Sequence, residues 1–151
     1  MPEIYQEKMK LVFTRLNSNW NAEPNNPNPQ AVWLGKDLRL QFYMNPFQFP
    51  QFKKGDIGII TFADCARYRF GEINDEGWYR GQCRFSQVIP WGEFYEVSGN
   101  LKLDEIPDDW ITRTKDQFKR RHFLFYFRDN EFECDTMDWK LEIQKGVRLH
   151  F

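Results

Sequence analysis

Rings alternate with polar or smaller neighbours along this chain, and that period of two limits the folds open to it. Residues 122–127 read His-Phe-Leu-Phe-Tyr-Phe, which puts Phe123, Phe125 and Phe127 on one side of an extended backbone. Residues 38–44 and 67–70 show related alternation. The chain carries 15 Phe, 6 Tyr and 6 Trp among its 151 residues. Flat side chains of this size suit the half-buried surface of a sheet. Each buries roughly 150–250 Å², so few of them are needed to fill a core. The pattern predicts a β-rich domain with an aromatic interior.

A chain of 151 residues is one ordinary domain. We expect residues 1–151 to form a single unit: a helix over 1–20, an Asn/Pro loop over 21–30 and a β-rich body over 31–151. The helix rests on a stripe of Tyr5, Met9, Val12, Leu16 and Trp20 at helical spacing. A second short helix is expected after Asp108 or Asp109, where Trp110, Thr114 and Phe118 stand four apart. The body reads as a succession of strands and turns. Residues 32–44 break at Gly35-Lys36-Asp37, and residues 57–62 form the best candidate for a central strand. Hairpins are expected around residues 72–77, 98–100, 128–130 and 145–146. The fold class is therefore α+β, mainly antiparallel β, with about seven to nine strands in a single curled sheet, a barrel or a sandwich.

Composition narrows function mostly by exclusion. The formal charge of -1 offers no global field for nucleic acid or an anionic membrane. No apolar run approaches the ~20 residues of a bilayer span, and the opening residues are polar and acidic. Cys65, Cys83 and Cys134 are odd in number and lack a CxxC pair, which fits a reducing, cytoplasmic setting. His122 joins these thiols in ligand type but not in spacing, so neither a metal site nor a cofactor is expected. The three serines lie outside any nucleophile elbow, and no Gly-rich phosphate loop precedes a helix.

One segment combines charge with flat rings. Arg67 and Arg69 share a strand face, as do Arg80 and Arg84, and Trp78, Tyr79 and Trp91 lie nearby in the chain. If the hairpin aligns those faces, the arginines form a cationic patch for a carboxylate, a phosphate or an acidic protein partner. Aromatics interleaved with arginine also serve single-stranded nucleic acid, but the net charge and the acidic loop of Glu72, Asp75 and Glu76 argue against it. Glu131, Glu133 and Asp135 alternate with Phe132 and Cys134, which reads as the charged, outward side of an outer strand. The function expected is a non-catalytic binding module for a protein partner or a small anionic ligand. The alternative is a small enzyme using carboxylate, Tyr and Arg groups in a pocket, with Glu93 and Tyr95 on one strand face.

Overall fold

The computed structural model describes residues 11–72, 89–99 and 108–146. Strands make up most of it. In chain order they are β1 (Val12–Arg15), β2 (Gln30–Leu34), β3 (Asp37–Tyr43), β4 (Ile57–Ala63), β5 (Arg67–Glu72), β6 (Phe94–Ser98), β7 (Ile111–Thr112), β8 (Arg121–Tyr126), β9 (Asn130–Thr136) and β10 (Asp138–Gln144). They form a six-stranded antiparallel sheet, β1-β6-β8-β9-β5-β7, and a four-stranded antiparallel sheet, β10-β4-β3-β2. The sheets do not close into a barrel.

The α+β expectation is therefore corrected, among the described residues, to a nearly all-β fold in which Val12–Arg15 of the expected N-terminal helix form a strand. Val12, which the helical stripe would bury, is 59% exposed on β1, while Phe13 turns inward. Val12, Phe13 and Thr14 favour extended backbone, and pairing with β6 from Val12↔Ser98 to Arg15↔Tyr95 outweighs the weak helical period. Trp20 does reach the core, but from a loop; Tyr5 and Met9 lie outside the described residues. The second helix gives way to β7 and a single 3-10 turn at Gln117–Lys119, whose would-be buried Phe118 is exposed. β6 pairs with β1 and β8; the second strand of the expected 98–100 hairpin lies outside the described residues. Residues 73–88, 100–107 and 147–151, which carry the remaining expected turn partners, are outside the described residues. Among the described residues no helix is long and apolar enough to cross a membrane.

Alternation builds the core as expected. Leu38, Leu40 and Phe42 of β3, and Ile60 and Phe62 of β4, face Phe94, Phe123, Phe125, Phe132 and Cys134 of the larger sheet. The rings meet across the gap: Phe62 lies 5.4 Å from Phe132, Phe42 5.3 Å from Phe125, and Trp139 of β10 5.1 Å from Phe94. At Gly58 a side chain has no room. A Cβ there would stand 2.5 Å from Met44 Sδ and 2.8 Å from the Phe42 ring. Gly58→Ala is expected to cost about 1–3 kcal/mol by overpacking, read as a lower urea midpoint, whereas alanine at an exposed neighbour such as Lys54 should leave the midpoint within error.

The sheets are joined by more than packing. β4 runs into β5 through Asp64, Cys65 and Ala66, and β9 runs into β10 through Met137 alone. β4 pairs with β10 and β5 with β9, so a two-stranded ribbon bends from one sheet into the other. The bend is laced by Ala66 N–H to Asp135 O at 2.8 Å, Met137 N–H to Ala63 O at 3.0 Å, and Thr136 Oγ1–H to Ala63 O at 2.6 Å. Asp64 takes a left-handed φ of 48° at the corner, and its carboxylate accepts from Arg113 and Arg120. The hydrogen bond from Arg120 holds the Asp64 carboxyl below its usual range.

Candidate functional site

On the face of the larger sheet turned away from the aromatic core, register assembles a row of charge. Arg67 is opposite Asp135, and Asp135 is opposite His122; two residues along, Arg69 is opposite Glu133, with Gly71 opposite Glu131. All of these ionisable side chains are buried. The reading of β9 as an outer strand is corrected here: β9 lies between β8 and β5, and its acids are covered. Alternation shows that two faces differ, but it does not say whether the polar one meets water.

His122 is 1% exposed and clamped at both ring nitrogens, Nδ1 2.8 Å from Asp135 Oδ1 and Nε2 2.8 Å from Glu133 Oε2. Where both carboxylates are ionised they only accept, so both ring nitrogens donate and the ring carries its extra proton. Burial alone would lower its pKa; the attraction of Asp135 and Glu133 outweighs burial and raises it. Asp135 moves the other way, because His122 and Arg67 overcome the upward push of burial. Arg67 Nε donates to Asp135 Oδ2 at 2.7 Å. Arg69 fans out, with Nε to Asp109 Oδ1 at 2.7 Å, Nη2 to Glu131 Oε1 at 2.8 Å and Nη1 to Glu133 Oε1 at 3.4 Å. Burial raises the Glu131 pKa, with Arg69 opposing. Trp110 lies over Arg67, its ring centre 3.9 Å from the guanidinium carbon, and meets the His122 ring edge-on at 6.1 Å.

With both ring nitrogens donating, His122 has no lone pair to act as a base. Its two carboxylates grip opposite ends of the ring and do not converge on one point. Among the described residues no group of three or more His, Cys, Asp or Glu side chains is arranged to hold a metal ion. Burial and the neighbouring Cys65 sulfur push the Cys134 thiol well above its ordinary range, so it is a poor nucleophile.

Three buried polar atoms at this cluster have no partner among the described residues: Arg67 Nη2, Trp110 Nε1 and Glu131 Oε2. The first two are donors on side chains stacked on one another, and a buried donor without an acceptor costs roughly 1–3 kcal/mol.

Of the residues expected to form a cationic patch, Arg67 and Arg69 do share one face, within a ring of carboxylates. Trp91 stands on the far side of β8, stacked on Tyr126 at 5.1 Å. Arg80, Arg84, Trp78 and Tyr79 lie outside the described residues. Sequence reasoning missed Trp110, assigned to a helix, and His122, set aside as an isolated ligand type. No local pattern links either of them to the alternating charges at 67–69 and 131–135; strand order alone brings them together. Comparison with protein-family models, with curated proteins and with solved structures finds no match for this chain, so the functional argument rests on geometry.

Proposed function

We propose that the protein is a non-catalytic binding module that accepts a single acidic oxygen group, from a small carboxylate ligand or an acidic side chain of a protein partner, at Arg67 and Trp110. The observation that carries this reading is the pair of buried donors on stacked side chains, Arg67 Nη2 and Trp110 Nε1, without an acceptor among the described residues. A planar carboxylate satisfies both at once. The charge around them limits the ligand. Arg67, Arg69 and protonated His122 face Asp109, Glu131, Glu133 and Asp135, so a polyanion such as nucleic acid meets surplus negative charge. The free, buried Cys65 and Cys134 thiols suit a reducing, cytoplasmic setting.

The test is thermal unfolding in acetate, formate and succinate against chloride at matched ionic strength. At a carboxylate concentration about ten times Kd, a rise of about 3–6 °C in Tm is expected. Trp110→Phe keeps the ring over Arg67 but removes the indole donor, and should lose most of that rise. A rise equal in chloride, or unchanged in Trp110→Phe, would reject the assignment.

A further inference from the structure

A second site lies at the other end of β8. A cavity of about 420 Å³ opens between residues 21–25, the turn at 45–48, the Trp91-Gly92-Glu93 turn that leads into β6, and residues 126–128. Its walls are tied to one another before any ligand arrives. Asn21 Nδ2 donates to Gly92 O at 2.7 Å, Asn45 N donates to Asn21 O at 3.0 Å, and Arg128 Nη1 donates to Asn25 O at 2.9 Å. A wall so braced loses little entropy on binding.

The polar groups left over define a chemistry. Asn45 is 5% exposed, and its Oδ1 is used by the amides of Phe47 at 2.9 Å and Gln48 at 3.2 Å. Its Nδ2 has no partner among the described residues and belongs to a side chain that lines the cavity. Among the described residues Glu93 has one long ion-pair contact, 3.7 Å to Arg15, which leaves its carboxylate able to accept. Gln48 and the rest of the Arg128 guanidinium add donors at the rim. Glu23 is already used, accepting from the amides of Asn25 and Asn26 at 2.8 and 2.9 Å. Trp91, half-buried and backed by the buried Tyr126 ring stacked on it at 5.1 Å, supplies flat apolar surface in the same cavity.

We infer that this cavity binds a neutral, hydroxyl-rich ring, the chemistry of a pyranose sugar. Each hydroxyl donates and accepts, which matches a wall carrying both an open carboxylate and open amide and guanidinium donors. An anionic ligand meets Glu23 and Glu93 against Arg128 alone, and a lipid chain would strand the amide and charged groups without partners. A sugar presents C–H faces to the Trp91 ring and hydroxyls to the rest.

Saturation-transfer NMR with glucose, galactose, mannose, N-acetylglucosamine and cellobiose tests this. Glucuronate and adenosine serve as the anionic and heteroaromatic comparisons. At least one neutral sugar should show transfer, and Kd should weaken by about tenfold or more in the double variant Glu93→Gln/Arg128→Met. Gln48→Ala, at an exposed rim position, should weaken it less, and Trp110→Phe not at all. No transfer from any neutral sugar overturns the inference. So does transfer undiminished in the double variant while its melting curve matches the parent, or stronger binding of glucuronate or adenosine.

Discussion

Replacing His122 with alanine is expected to cost about 3–5 kcal/mol, because the change leaves Asp135 and Glu133 facing each other as buried carboxylates without their shared cation. The direction of the pKa shifts adds a signature in pH. The His122 pKa is raised in the fold, so its contribution is complete below its ordinary value of 6.5 and disappears as pH rises through the raised folded value. The Asp135 pKa is lowered, so its contribution is complete above 3.8 and disappears as pH falls through the lowered folded value. Between those two ordinary values the trio stabilises most. Glu131 acts in the opposite sense: with its pKa raised, it favours the fold more as that carboxyl takes up a proton. Urea denaturation across pH checks this. His122→Ala should abolish the alkaline loss of stability that the parent shows, and a destabilisation under about 1 kcal/mol would show that the clamp is not formed.

Phe94→Ala should be as damaging for an unrelated reason. Phe94 is fully buried and meets five rings: Trp20, Phe62, Phe123, Phe125 and Trp139. These come from both sheets and from the loop before β2, so no single element can shift to fill the space. A loss of about 3–5 kcal/mol is expected from the transfer and cavity contributions together. Phe94→Leu should lose less, and Phe47→Ala, at a side chain 72% exposed, should stay within about 0.5 kcal/mol. Equal losses at Phe94 and Phe47 in chemical denaturation would contradict the core as described.

The inner faces were readable from the chain because apolar alternation has one physical reading: Phe123, Phe125 and Phe132 had to share a side, and they do. Gly35 likewise marked the β2–β3 turn by its freedom to take a φ of 61°. The opposite face of the larger sheet was not readable. Acids at every second position describe a solvated strand and a buried ion network equally well, and only the order of strands decides between them. Once β9 sits between β8 and β5, Glu133 and Asp135 have cations on both sides, Glu131 has Arg69 on one, and all three are buried. The helix over 1–20 failed for a related reason, since spacing within β1 carries no trace of β6, some eighty residues away. Trp91 meets Tyr126, at the end of β8, and Asn45, in the turn after β3, around one cavity, and no local pattern in the chain links the three.

The ribbon that bends between the sheets sets the order in which this molecule is able to assemble. Its β5–β9 half joins residues as far apart in sequence as Arg67 and Asp135, 68 positions, and its β4–β10 half is as non-local. The β8–β9 hairpin closes cheaply and early; the ribbon must first meet the entropy of a large loop. Until it closes, β10 is absent from the edge of the smaller sheet and β5 and β7 from the larger one; once it closes, β10 joins β4 and β5 joins β9 together. Folding kinetics dominated by one late, long-range event, followed by unfolding of the two sheets as a single cooperative unit, is the behaviour this connection imposes.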